Sequence, residues 1–552
     1  MNKYFGIIVS LLIGLLAGSQ LLTNQNFSLH DESQMANLKQ YQVAFDHGQF
    51  PPRWASDVHF GKGSPYLSFN YQIPYYIAYV INQFGFDLFT SYKLTLLISL
   101  LLGSLGAYLL CRTRLNSLHS IIGALFYSTI PYHAIDVYVR GTIGESYAIA
   151  LFPWVLLTFY RLIKSSTFRN GLLFGLSFAF LILSHQPSTL LLVPILMIIS
   201  LSVMVSKRNF SILKPLMVAV TTSLAISAYY WIPILAESKL IEPVAPFDFY
   251  DHFPFITQLI YSPWGFDGSI WGPDDGMSFR IGFAGLFVVA FFIAQLTLSF
   301  YRKKFKLESF ALFLSVLLVL FLMNIRSSFL WNEFGLTSLI QFPWRLLSVF
   351  SLVLLLLFID ILATLTKPNR ILFSLIILGA SLFLDLRVFH PGTITDHNDC
   401  YYLRRYLPSY CLNSDEYVST DYLGYTENYI PLPLGAVRQP ANPSSKFKTL
   451  DPKTEYSLTK VSPFNYELHI KSENGDTFIF DNFSYPGWHV YVNGQKIYTS
   501  KTTQGTLQFS VPNGAVTAVV KFEENTLRQS ANLLSVVSII SLIYLLWNKK
   551  LA

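Results

Sequence analysis

Long apolar runs decide what this chain can become. A stretch of about 20 apolar residues matches the hydrocarbon thickness of a bilayer. Twelve occur, at about 4–22, 92–111, 117–132, 144–162, 170–185, 188–206, 212–234, 281–300, 309–324, 345–365, 371–387 and 530–547. Only 13% of the 552 residues are charged and 52% are hydrophobic, against about 25% charged in soluble domains. A string of water-soluble globules is excluded, and the chain reads as a polytopic α-helical membrane protein.

A thirteenth run, 67–84, carries Asn70, Gln72, Asn82 and Gln83 with a proline and four tyrosines. That mixture suits a helix lying in the membrane interface rather than crossing it. Basic residues decide the question, because they stay on the cytoplasmic side. If 67–84 does not span, one side collects Lys3, Arg112, Arg114, Arg161, Lys164, Arg169, Lys207, Arg208 and Lys214. The same side takes Arg302, Lys303, Lys304, Lys306, Lys367, Arg370, Lys549 and Lys550, with Glu308 as its one acid. If it does span, Arg112, Arg114 and every later cluster flip. The expectation is therefore twelve spans in the plasma membrane with both termini cytoplasmic. The first run has the look of a signal peptide, with Ala17, Gly18 and Ser19 near a possible cleavage site, but its length favours a retained anchor. The net charge of +7 is then a basic inner rim added to an acidic outer face, not a footprint for nucleic acid.

Outside lie the first loop (23–91), 235–280, 325–344 and a large segment, 388–529. The expected division is 1–387 as transmembrane domain, 388–529 as extracytoplasmic domain and 530–552 as a C-terminal membrane helix. Alternating stretches such as 466–470, 477–483 and 517–523, with Asn-Gly pairs at 493 and 513, predict an antiparallel β-sandwich-like fold from about 450 to 525. Cys111 reads as a buried thiol. Cys400 and Cys411 share the external segment, where a disulfide is chemically allowed.

Charged residues on the outer face near the membrane are the functional candidates. His30, Asp31 and Glu32 follow the first span. They read either as a capped helix start or as a carboxylate acting as general base or metal ligand. Asp136 and Arg140 are four apart and would pair on a helix, but Arg140, Glu145 and the flanking Gly141 and Gly144 also suit a phosphate. His185 sits in a short turn between spans, and a polar turn residue is its plainer reading. The 235–280 loop gathers Asp248, Asp251, His252, Trp264, Asp267, Trp271, Asp274 and Asp275. Those residues fit a metal site, a sugar-stacking surface or a solvated loop anchored by tryptophan, and Arg280 closes the loop. In QFPWR (341–345), Trp344 fits an aromatic belt. Arg345 opens a helix where its charge opposes the helix dipole, a cost that a bound anion removes.

These segments together resemble a family. HDE after the first span, FGKGSPYLSFNYQIPYY (60–76), YVRGTIGES, SHQPS, SPWGFDGSIWG, QFPWRLL and YPGWHVYVNG (485–494) are similar to the bacterial YfhO-type membrane proteins. They are equally similar to the 6-pyruvoyl-tetrahydropterin-synthase-related membrane family, both placed with the GT-C glycosyltransferases. The resemblance implies a GT-C-like fold and transfer of a sugar, with inversion, from a polyprenyl-phosphate donor to a cell-envelope polymer or glycolipid at the membrane lipid surface. It implies Asp31 as base or metal ligand, with His30 or Glu32 assisting, a divalent cation such as Mg or Mn being optional, and less firmly Glu145 and Asp136 as a second acidic site. Arg345 and Arg140 would then face the leaving phosphate. A lipid-linked sugar transporter or flippase and a non-catalytic cell-envelope scaffold are the competing readings. Against the transporter, no charge lies at a span centre.

Overall fold

The computed structural model describes residues 3–208, 210–242, 248–407, 410–411, 430–437 and 445–548. Lys549 and Lys550 lie outside the described residues. The molecule is a multi-pass membrane protein: among the described residues, seven helices are long and apolar enough to cross a bilayer. They are Leu88–Cys111, Ile143–Lys164, Gln186–Lys207, Phe283–Tyr301, Pro343–Thr364, Lys367–Val388 and Thr526–Trp547. Two bent pairs raise the number to nine, Leu213–Ile226 with Ala228–Leu240 (72°) and Leu307–Leu322 with Ile325–Glu333 (87°). The predicted runs at 4–22 and 170–185 are shorter apolar helices, Tyr4–Ala17 and Phe168–Ser184.

The predicted span 117–132 takes a different form. Its helix, Ser117–Ser128, stops after 12 residues because Pro131 cannot donate to the preceding turn. The chain continues through Pro131–Ala134 and a π-helical turn, Ile135–Arg140, that ends at Gly141 with φ +71°. Every residue from 122 to 150 is buried, which is the condition for irregular backbone inside a bilayer. The 67–84 segment forms two short helices, Tyr66–Phe69 and Ile73–Asn82. Ten residues rise about 15 Å, half a hydrocarbon core, as its tyrosines and amides suggest.

The helices alternate in direction. Their basic ends meet at one end of the bundle, where Arg114 faces Asp360 at 3.7 Å and Ser206 donates to Glu308 at 2.9 Å. The opposite ends meet the 23–91 segment, where the Gln72 amide donates to the Leu183 carbonyl at 2.9 Å and the His30 amide to the Val139 carbonyl at 3.0 Å.

The β domain holds two antiparallel sheets. Five strands run in the order Glu455–Ser462, Asn465–Ser472, Gly514–Phe522, Trp488–Val492 and Gln495–Lys496. Four run Phe447–Thr449, Asp476–Phe483, Thr506–Val511 and Thr499–Lys501. Inward residues alternate along each strand, with Phe478, Phe480 and Phe509 facing Leu468, Ile470, Val490 and Val520. Asn493-Gly494 makes the expected tight hairpin, both residues at positive φ (50° and 81°), as a type I′ turn needs. Asn513-Gly514 does not make one: after Pro512 it carries the chain from the smaller sheet to the larger. The core of this domain runs on into the first loop, where Trp54 lies 5.8 Å from Trp488 and 5.7 Å from Phe522. Cys400 and Cys411 are joined in a disulfide, and Cys111 is a buried thiol.

Candidate functional site

Where the helix ends meet the first loop there is a cavity of about 730 Å³. Its wall brings together His30, Asp31, Arg140, His185, Trp344 and Arg345, residues spread over more than 300 positions of sequence. Glu32, Asp136, Glu145 and Arg280 do not line it.

Backbone pairing sets Asp31 in place. The His30 and Asp31 amides donate to the Val139 and Arg140 carbonyls at 3.0 and 2.9 Å. This lays the strap after the first span along the end of the π-turn. The His30 ring is 2.9 Å from the Phe266 carbonyl, which fixes it to the 235–280 loop. Among the described residues, the Asp31 carboxylate has no hydrogen-bond or ion-pair partner, and it is half-buried at the cavity wall. Glu32 has the opposite fate. It is buried and ion-paired with Arg405 of the helix Asp399–Tyr406, which Tyr401 also contacts at 2.6 Å. Burial raises the Glu32 pKa, with Arg405 opposing.

Behind the cavity sits a compact charge cluster. Arg140 donates to Asp136 at 2.6 Å and to Glu145 at 2.7 Å, and Tyr132 donates to Glu145 at 2.8 Å. The pairing read from the spacing is therefore present, on a π-turn rather than an α-helix, and Glu145 has joined it. With two carboxylates already on it, Arg140 has little charge left for a phosphate. Its guanidinium stacks 4.6 Å from the Trp344 ring, which also packs against Phe342 at 5.0 Å and Phe279 at 6.1 Å.

Arg345 is less occupied. Nη1 donates to the Ile340 carbonyl at 3.1 Å, while Nε stands 3.7 Å from Glu145 and has no hydrogen-bond partner. That separation is too long for a hydrogen bond. His185 caps the helix Gln186–Lys207 and shares a proton with Ser188 at 2.8 Å. Burial pushes it down to about 3, so the ring is neutral. Tyr71 meets it edge-on at 5.8 Å, packed so closely over Gly144 that a Cβ there would fall 2.8 Å from the ring. Tyr66 and Tyr71 are held as neutral phenols by burial and hydrogen-bonded to Asn37 and Gln34. This tyrosine-amide wall was not singled out from the sequence; its only signal was the density of Tyr, Asn and Gln in 67–84.

Arg280 stacks 5.7 Å from Trp264. In the 235–280 loop, Asp275 accepts from Gln258 and the Ile270 amide, and Asp248 caps a turn at Tyr250, so these acids brace the loop itself. Among the described residues, no three His, Cys, Asp or Glu side chains converge to hold a metal.

Residues 69–242 match the model of a family described as the 6-pyruvoyl-tetrahydropterin synthase related domain, a membrane protein. No curated protein matches the sequence. Among solved structures, the fold is similar to the arabinofuranosyltransferase AftD from Mycobacteria, with TM-score 0.47, 16% identity, and coverage of 73% of this chain and 28% of that one. It is also similar to the Archaeoglobus fulgidus oligosaccharyltransferase in the apo form, with TM-score 0.40, 14% identity, and coverage of 81% and 61%. The chain thus spans less than two thirds of the length of either.

Proposed function

We propose that this protein is a membrane glycosyltransferase that moves a sugar from a polyprenyl-phosphate donor to a cell-envelope acceptor on the outer face. The observation that carries the reading is the cavity itself. It places a carboxylate without a protein partner, Asp31, and a guanidinium with an unused N–H, Arg345, on one wall system at the helix ends. A base and an anion site around one void are what displacement of a phosphate by a hydroxyl requires. The basic clusters lie at the far end of the bundle, so the positive-inside rule turns the cavity outward, and the motif resemblance points to the same chemistry.

In this mechanism the acceptor oxygen forms a bond to the anomeric carbon as the bond from that carbon to the phosphate oxygen breaks, inverting the centre. Asp31 takes the acceptor hydroxyl proton. The departing polyprenyl phosphate keeps the bonding electron pair, and Arg345 donates hydrogen bonds to the charge that develops there. Arg140 positions Trp344 and Glu145, and the Glu32–Arg405 pair holds the strap that carries Asp31.

The test is the full chain in nanodiscs with a panel of radiolabelled polyprenyl-phosphate sugars, with and without divalent metal and chelator. Turnover of one donor is expected, and Asp31→Asn should lower it by about 10²–10⁴-fold with normal expression and folding. Full transfer by Asp31→Asn would refute the base assignment; a panel that is transported or bound but never cleaved would refute the enzyme.

A further inference from the structure

Behind the charge cluster lies a second, much smaller chamber of about 20 Å³. Its walls are the helices Leu88–Cys111, Ser117–Ser128 and Ile143–Lys164 and the π-turn. Four buried polar atoms on residues lining it have no hydrogen-bond partner among the described residues: Ser128 Oγ, His133 Nε2, Asp136 Oδ2 and Ser146 Oγ. Other hydroxyls on the same wall are already used. Tyr127 donates to the Ile149 carbonyl at 2.7 Å, Ser99 to Leu96 at 2.6 Å and Ser104 to Ser10 at 2.6 Å.

An unmade hydrogen bond on a buried polar group is costly, so four around one void demand a common partner. The volume is that of about one water molecule. A carboxylate oxygen only accepts, a hydroxyl can donate, and a neutral histidine accepts through its unprotonated nitrogen. One water that donates to Asp136 Oδ2 and His133 Nε2, and accepts from Ser128 and Ser146, satisfies all four atoms with its full set of bonds.

We infer that this chamber is a built site for a single water molecule, which bridges His133, Ser128 and Ser146 to the back of Asp136. The π-turn makes the arrangement possible. It turns Oδ1 of Asp136, a residue that lines the chamber, to Arg140 at 2.6 Å and leaves Oδ2 without a partner among the described residues. A sodium ion suits the place less well. Arg140 already opposes the Asp136 charge, and Arg345 approaches Glu145, so no net negative charge remains to hold it.

The site is tested by cryo-EM of the full chain in nanodiscs, at a resolution that resolves ordered water, in sodium and in choline buffers. One peak within hydrogen-bond distance of the four atoms is expected in both. A chamber without density overturns the inference, and a peak that disappears in choline assigns an ion instead. Thermal melts supply an independent check. Ser128→Ala and Ser146→Ala should each lower Tm, and the double variant should lose less than the sum, because the two hydroxyls share one partner. Strictly additive losses would overturn the shared water.

Discussion

Arg528 and Arg345 each face a buried glutamate, and the fold treats them differently. Arg528 grips Glu237 with two hydrogen bonds, Nε at 2.9 Å and Nη2 at 2.8 Å, and Glu237 also accepts from Tyr485 at 3.1 Å and Asn525 at 3.2 Å. This closed clasp ties the last membrane helix to the bent pair ending at Glu237 and to the β domain. Arg345 only approaches Glu145, at 3.7 Å, and among the described residues its Nε has no partner. Arg528 also leaves one nitrogen, Nη1, without a partner, so the difference lies in the grip on the carboxylate. A two-bond ion pair to a buried glutamate marks a residue that holds the molecule together, and an approach without a hydrogen bond, beside a cavity, marks a residue placed for something that is not part of the protein.

The comparison breaks most easily at the clasp. Arg528→Ala should remove about 3–5 kcal/mol of stability, because Glu237 would be left buried without its counter-charge. Denaturation in detergent micelles measures it. A stable variant would show that a two-bond ion pair to a buried glutamate is no sign of structural weight. Arg345→Ala should do the reverse: transfer falls by about 10²-fold while the melting temperature barely moves. Loss of stability with turnover intact would place Arg345 beside Arg528 and empty the cavity of its anion site.

Sequence reasoning reached features whose cause is local. Apolar runs marked the helices because their period and length are fixed by the bilayer, and Asn493-Gly494 marked a hairpin because only such residues accept two positive φ values. The Asp136–Arg140 pair was also legible, four residues apart. What stayed hidden depends on distant partners. Glu32 shares the HDE strap with Asp31, yet its side chain is claimed by Arg405, 373 positions away. Arg53 is claimed in the same way by Glu524 at 3.1 Å. The run at 117–132 looked like an ordinary span because apolar content does not record that a proline and a π-turn interrupt it deep inside the protein. The motif at 341–345 announced both of its residues as candidates, but only packing could show that Trp344 is enclosed between Phe342 and Arg140 while Arg345 keeps a free donor.

Glu32 offers the finest test, because its pairing stands between the two extremes. It has an arginine partner, as Glu237 does, but burial outweighs that partner and its pKa is raised above the ordinary glutamate value of 4.5. An acid whose folded pKa is raised binds its proton more tightly when folded. The stability it contributes is therefore fully present below 4.5 and is lost as pH rises through the folded value. Glu32→Gln keeps the neutral shape and cannot titrate. Melting wild type and variant in parallel from about pH 4 to about pH 7 should show wild type losing ground to the variant as pH rises, by a smaller margin than Arg528→Ala produces. If wild type gains ground instead, Arg405 outweighs burial, and the strap that presents Asp31 is fastened by a clasp of the same kind as Arg528 and Glu237.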